Sequence, residues 1–256
     1  MSQIIEKLKF IIKKNIYFIH FSHKIISYFG INFEEEYKIS KLLNKNDLIV
    51  DVGAHLGESI MGFKRYNKDV IIQSFEPNPS VFKKLSNKIS MKNGVFLNNN
   101  LLMSNKKKLN FYVPKINNIS MPYMGSFNKE FIIQRFKHFF FFSIENKISW
   151  EIYNIESNRL DDFELNPKII KIDTEGSELE VLKGSENTLK KFEPLIIVEF
   201  NLNNYKSIYE YLSNLNYSLH KYIADKFIEM DYQELISYEK YQNQRNLIFK
   251  TEKFNI

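Results

Sequence analysis

An apolar segment that ends in a glycine-containing turn constrains this chain most. Residues Asp47–Gly57 read DLIVDVGAHLG, a short apolar run followed by a turn with two glycines. This pattern is typical of a buried parallel strand that passes through a tight turn into a helix. A second apolar run, Val70–Phe75, leads directly to Glu76. Successive units of this kind predict an α/β fold whose ligand binds at the carboxyl ends of the strands.

The acidic residue Asp51 indicates what kind of ligand the turn accepts. In dinucleotide-binding turns, glycines let backbone amides approach a pyrophosphate. Asp51 stands two residues before Gly53, where the first of those glycines is expected, and its carboxylate would repel phosphate. It would suit an ammonium group beside a sulfonium, which describes S-adenosylmethionine. Glu76 follows the second strand, where related folds place the carboxylate that binds ribose hydroxyls.

Composition narrows the class of protein. A chain of 256 residues accommodates one α/β domain with additions. The absence of cysteine excludes disulfides, thiolate nucleophiles and zinc–sulfur sites. The net charge of +6 leaves two alternatives open, a general compositional bias or attraction of an anionic acceptor such as a sugar nucleotide. Because lysines interrupt the N-terminal apolar runs and no cleavage site follows them, we expect no transmembrane segment and a cytoplasmic location.

The chain divides into an N-terminal helical extension, residues 1–46, and a domain over residues 47–256. An insertion is expected at about 115–156, where the alternation of strands and helices fails and Phe136–Phe142 is unusually aromatic. We expect it to cover the site or to pair subunits in a homo-oligomer. Asn78 should cap a helix that starts at Pro79. Ser177 and Glu180 have the spacing of a capping box for a later helix.

Five segments, in this order, carry a resemblance to a known family: Val50–Gly57, Phe75–Pro79, Asn100–Asn105, Leu160–Phe163 and Ile170–Gly184. With them the chain resembles the FkbM-type methyltransferases, class I enzymes that use S-adenosylmethionine. The resemblance implies a doubly wound, mostly parallel, seven-stranded Rossmann-like sheet, here with N-terminal helices and an aromatic insertion. It also implies methylation of a hydroxyl, often on a sugar of a polysaccharide, glycolipid or natural product.

The candidate site residues follow the predicted strand ends. For the cofactor they are Asp51, Gly53, Ala54, His55, Gly57, Glu58, Ser59, Glu76, Pro77, Asn78 and Asn100. The catalytic candidates are Asp173, Glu175 and Glu199, with Asp173 as general base for the acceptor hydroxyl. Two alternatives stay open for activation: a metal-free site, or Mg²⁺ or Mn²⁺ held by Asp173, Glu199 and Asn201. Glu175 has the further alternative of stabilising a helix N-terminus, and Asp161 and Asp162 are expected to cap turns.

Three functions remain at this point. The first is an O-methyltransferase that acts on a nucleotide sugar or on a surface-polysaccharide or glycan precursor. The second is a nucleic-acid methyltransferase, which the basic charge permits. No compact stripe of Lys and Arg with interleaved aromatic residues supports it, so no nucleic-acid partner is expected. The third is a non-catalytic cofactor-binding or scaffold protein.

Overall fold

A computed structural model describes residues 35–89, 94–116, 119–139, 148–174, 176–200, 204–241 and 246–254. Most of the predicted N-terminal extension therefore lies outside the described residues. Its described part is a 3-10 helix, Glu35–Leu42, rather than an α-helix. The aromatic run of the insertion is described only as far as Phe139.

Twelve strands and seven α-helices form the described part of the chain. The strands are β1 (Leu48–Val52), β2 (Ile71–Phe75), β3 (Val95–Asn98), β4 (Leu101–Leu102), β5 (Lys108–Ile116), β6 (Ile119–Ser120), β7 (Ile148–Asn158), β8 (Pro167–Ile172), β9 (Leu195–Glu199), β10 (Ser218–Ile223), β11 (Lys226–Glu229) and β12 (Asn246–Lys250). The helices are α1 (Glu58–Tyr66), α2 (Pro79–Lys88), α3 (Lys129–Phe139), α4 (Glu178–Lys183), α5 (Glu186–Phe192), α6 (Tyr205–Ser213) and α7 (Tyr232–Tyr241). Within the ranges described, none of these helices could span a bilayer.

Eight strands form the main sheet, in the order β3-β2-β1-β8-β9-β12-β10-β11. The first five are parallel, and β12, β10 and β11 are antiparallel to their neighbours. The prediction of seven strands was wrong by one, since it omitted β11. This strand reads Lys-Phe-Ile-Glu, and none of its residues is buried, so it lacks the apolar alternation by which strands are recognised. It follows β10 through Ala224 and Asp225, which both have the positive φ of a tight hairpin turn.

The sheet is buried on both faces, which explains the uninterrupted apolar runs of its central strands. On one face, Ile49 and Ile72 pack against Phe63 of α1 and Leu85 of α2. On the other, residues such as Val52 and Ile172 pack against α4 to α7. Gly62 allows the ring of Tyr37 to lie directly against α1, since a Cβ at this position would come within 2.3 Å of that ring.

A second sheet lies between β3 and β8 in the chain, in the order β4-β7-β5-β6. Its main pair, β5 and β7, is antiparallel along Lys108–Ile116. Helix α3 contributes Ile132 and Phe136 to a separate apolar cluster with Ile116. The strands β5 and β7 both extend across the limits of the predicted insertion at 115–156, and the boundaries of that insertion stay a prediction.

Candidate active site

The turn after β1 lies against the ends of two neighbouring strands. The amides of Gly53 and Ala54 both donate to the carbonyl oxygen of Phe75, at 2.9 and 3.0 Å. Gly53 has φ 89°, and a Cβ there would lie 1.8 Å from the backbone oxygen of Asp173. Only glycine fits this approach. The predicted cofactor turn and the predicted base are therefore in direct backbone contact.

Asp51 lies beneath this turn and is fully buried. Its Oδ2 accepts hydrogen bonds from Ser59 Oγ (2.9 Å) and Ser74 Oγ (3.1 Å). Its Oδ1 is buried and has no hydrogen-bond donor among the described residues. Burial raises the pKa of Asp51, against the opposing charge of Lys171. A buried acceptor without a donor is costly, and a ligand that brings a donor or a positive charge would relieve that cost.

Glu76 ends the second strand with both carboxylate oxygens engaged. Oε2 accepts from the backbone amide of His55 (2.9 Å) and Oε1 from that of Asn78 (2.8 Å). The residue is only 7 % exposed. Burial raises the pKa of Glu76 to about 7, although both amides favour the charged form. Each oxygen keeps a lone pair for a further donor.

The raised pKa of Glu76 predicts a pH-dependent stability. The folded state favours the neutral acid, so this contribution is fully present below about pH 4.5 and is lost as the pH rises through about 7. The difference amounts to about 3 kcal/mol in the free energy of unfolding. We expect Glu76→Gln, which cannot ionise, to flatten this part of the profile in urea titrations between pH 5 and 8. An unchanged slope in Glu76→Gln would contradict the prediction.

The remaining turn residues form a network around Glu76. His55 Nδ1 lies 3.6 Å from Glu58 Oε2, which also accepts from the amide of Leu56. Burial lowers the pKa of His55, but the hydrogen bond and charge of Glu58 outweigh burial and the pKa is raised overall. The Ser59 hydroxyl donates to Asp51, as described above. Gly57 has φ 86° at the start of α1. His55 thus contacts Glu76 through its backbone and Glu58 through its ring.

The segment after β2 has the predicted helix cap. Asn78 Oδ1 accepts from the amides of Ser80 and Val81, and Pro79 is the first residue of α2. Asn99 Nδ2 donates to the backbone oxygens of Glu76 and Pro77. Asn100, one of the predicted cofactor residues, donates to Asn158 Oδ1 at 3.1 Å, and its cofactor role stays a prediction.

An acid pair lies at the ends of β8 and β9. Asp173 is 39 % exposed, and its Oδ2 accepts a hydrogen bond from the buried Lys171 Nζ at 3.1 Å. Burial acts to raise the pKa of Asp173, but the charge and hydrogen bond of Lys171 and a hydrogen bond with Glu199 lower it overall. Asp173 is thus an accessible, ionised carboxylate beside the glycine turn.

The loop after Asp173 is fixed by an acid that the sequence did not single out. The buried Glu178 accepts from the amides of Thr174 (3.1 Å) and Gly176 (2.8 Å), and also from Asn204 Nδ2. The predicted capping box was wrong, because the Ser177 side chain makes no capping hydrogen bond. Glu180, its supposed partner, accepts from Ser104 Oγ instead.

Two of the candidates cannot be placed. Glu175 and Asn201 lie outside the described residues. Within the described residues, no group of three or more His, Asp or Glu side chains could hold a metal ion. Of the predicted metal ligands, the structure brings together Asp173 and Glu199.

The turn-capping roles predicted for Asp161 and Asp162 are confirmed. Asp161 Oδ1 accepts from the amide and hydroxyl of Thr188 in the first turn of α5, both at 2.8 Å. Asp162 pairs with Arg159. These two acids organise the chain before β8 and take no part in the candidate site.

A comparison with known families identifies the family of this chain. A profile of the methyltransferase FkbM domain matches residues 51–219, from the acid of the glycine turn to β10. The chain belongs to the FkbM methyltransferase family. The match includes the turn, Glu76, the second sheet and the acid pair of Asp173 and Glu199.

A solved structure of the same family shares the fold of this chain. A methyltransferase FkbM from Methylobacillus flagellatus aligns with a TM-score of 0.50 at 15 % identity, over 84 % of this chain and 47 % of its own. The chain thus spans about half the length of that protein. A TehB-like S-adenosylmethionine-dependent methyltransferase from Corynebacterium glutamicum aligns with a TM-score of 0.46 at 9 % identity, over 94 % and 100 %. No curated protein sequence matches significantly. The α/β class I fold is confirmed, with eight strands in its main sheet.

Proposed function

We propose that this FkbM-family protein is an S-adenosylmethionine-dependent O-methyltransferase that methylates a sugar hydroxyl on a nucleotide sugar or a surface-polysaccharide or glycan precursor. The observation that carries the proposal is the accessible Asp173 carboxylate beside the glycine turn, 3.1 Å from the Nζ of the buried Lys171. A hydroxyl must lose its proton to become an effective nucleophile, and a carboxylate here can take it. We assign Asp173 the role of general base.

The residues around the turn fit the cofactor. Glu76 has lone pairs left for two ribose hydroxyls. The missing Cβ of Gly53 lets a ligand and the Asp173 backbone approach the same turn. Asp51 has a buried oxygen without a donor, which favours a cationic ligand above it. When bound, S-adenosylmethionine supplies an electrophilic methyl group on a sulfonium.

Lys171 supports a base that works without a metal. Its ammonium lies 3.1 Å from Asp173 Oδ2 and already balances the charge of Asp173. In this arrangement Asp173 orients the hydroxyl, accepts its proton as the methyl group is transferred, and releases that proton to water. Alignment of the hydroxyl and exclusion of water would supply most of the acceleration.

The choice of a sugar acceptor rests on the family and on charge. FkbM-type enzymes often methylate sugar hydroxyls, and the net charge of +6 favours an acceptor that carries phosphate or another anion. The aromatic side chains of the second sheet, Tyr112 and Trp150, have the Lys129 ammonium over both rings. Lys129 and these rings would offer a sugar phosphate both charge and stacking surface.

A mass-spectrometric screen tests the proposal. The protein and S-adenosylmethionine are incubated with pools of nucleotide sugars, polysaccharide fragments and RNA, with and without EDTA. We expect a gain of one methyl group in a sugar-containing pool, with release of S-adenosylhomocysteine that survives chelation. Methylation confined to RNA would contradict the sugar assignment, and loss of turnover with EDTA would contradict the metal-free base. Cofactor binding without release in any pool would favour a non-catalytic protein.

A further inference from the structure

A short turn after β6 of the second sheet contacts two residues that surround Glu76. The 3-10 helix Pro122–Met124 follows β6, so it belongs to the part of the chain between the two halves of the main sheet. The backbone oxygen of Pro122 accepts a hydrogen bond from Asn78 Nδ2 at 2.8 Å. Asn78 is the residue whose backbone amide donates to Glu76.

Tyr123 makes a second contact, with the other residue whose amide donates to Glu76. Its ring packs edge-to-face against the His55 ring, with centroids 5.3 Å apart. His55 is the other residue whose amide donates to Glu76. The Pro122–Met124 turn thus contacts both residues whose amides donate to Glu76.

Lys84 holds Tyr123 in place from helix α2. Its ammonium donates to the Tyr123 hydroxyl at 2.9 Å and lies 4.5 Å from the centre of the ring. The same ammonium thus makes a hydrogen bond and a cation–π contact with the phenol ring. Tyr123 is therefore clamped between helix α2 and the glycine turn.

We propose that Tyr123 forms the outer wall of the nucleoside pocket and couples cofactor binding to the second sheet. The inference rests on the proposed function, because it assigns this residue to the S-adenosylmethionine site. Glu76 is only 7 % exposed, and the two residues whose amides donate to it, His55 and Asn78, are the two that the Pro122–Met124 turn contacts. A ligand seated at Glu76 contacts the turn and stabilises its docked position. Lys84 acts as a positioning residue, since its described contacts here are with Tyr123.

The coupling between cofactor binding and docking of the Pro122–Met124 turn sets the expected loss of cofactor affinity. If the cofactor stabilises the docked turn, then removing the docking contact must weaken the cofactor by the same factor. Calorimetric titration with S-adenosylmethionine should show about tenfold weaker binding for Tyr123→Ala, within the usual range of such coupling. Lys84→Ala should give a smaller loss in the same direction, because it loosens the clamp and leaves the ring present. Tyr66→Ala serves as the matched control, because that tyrosine also lies under a lysine ammonium, Lys41, at 5.3 Å but stands at the end of α1.

Hydrogen exchange gives a readout that needs no acceptor. The amides of Met124 and Gly125 are bonded within the turn and report its order. We expect S-adenosylhomocysteine to slow their exchange in the wild type and in Tyr66→Ala, and to leave it unchanged in Tyr123→Ala. Wild-type affinity in a folded Tyr123→Ala, or tighter binding because the turn blocks the pocket, would overturn this inference alone. Failure of the wild type to bind either ligand would overturn the proposed cofactor as well.

Discussion

Asp173→Asn should reduce methyl transfer by about 10²–10⁴-fold, the usual contribution of a general base. The amide cannot accept the acceptor's proton, and it also loses the ion pair with Lys171. S-adenosylmethionine affinity should stay within a few-fold of wild type, because the backbone of Asp173, rather than its side chain, contacts Gly53. Single-turnover measurements with the acceptor found in the screen, together with calorimetry, separate these two effects.

Asp225→Asn is the matched control for this substitution. Asp225 is exposed in the β10–β11 turn and has φ 60°, a conformation that asparagine adopts readily. We expect it to have wild-type turnover and stability. Near-normal turnover in Asp173→Asn would remove this residue from the chemistry. An equal loss of cofactor affinity and turnover would make it a binding residue instead.

The second large effect concerns Glu76, whose replacement by alanine should weaken S-adenosylmethionine by about 2–4 kcal/mol. Hydrogen bonds to a charged acceptor are worth about 1.5–3 kcal/mol each and are not fully additive. This loss corresponds to roughly thirtyfold to several hundredfold in the dissociation constant. Glu76→Ala also frees the amides of His55 and Asn78, so part of the loss comes from the turn itself.

Glu76→Gln separates the two causes. The amide keeps the length of the side chain and one acceptor oxygen but carries no charge, so binding should be weaker than wild type and tighter than in Glu76→Ala. At pH 8 we expect the unliganded Glu76→Gln protein to be more stable than wild type, because burial of the ionised carboxylate is unfavourable. The exposed Glu252→Ala is a control for loss of an acidic side chain. Unchanged affinity in both Glu76 variants would place the ribose elsewhere.

The parallel strands could be predicted because burial on both faces leaves a plain apolar pattern. The apolar run Val70–Phe75, for example, differs from the observed strand β2 by one residue. The second sheet could not be predicted in the same way. Its long strand β7 alternates between exposed and partly buried residues, and Ile152 is 52 % exposed. Such a strand is stabilised by pairing with β5, which is distant from it in the sequence.

Among the candidate site residues, the acids at the strand ends could be predicted from the sequence. The side chains that contact and position them were harder to predict. The pairing of Lys171 with an acid could have been predicted, because a lysine inside the apolar run Ile169–Ile172 must pair with an acid if it is buried. Glu178 is the first residue of α4, and its hydrogen bonds become defined only when Thr174, Gly176 and Asn204 meet in the fold. Tyr123 gave no signal, since nothing in the local sequence shows that it faces His55.

The second sheet leaves and rejoins the main fold at almost the same point. Leu101 pairs with Ser157, Leu102 pairs with Asn158, and Asn100 is bonded to Asn158. The backbone of Met103 donates to Asn158 as well. Because the two ends of this segment lie so close together, the segment can change in length or sequence without moving β3 or β8. The proposed cofactor turn and the proposed base Asp173 can thus keep their positions when the segment between them changes, and we expect differences in acceptor range among relatives to be concentrated between Met103 and Ser157.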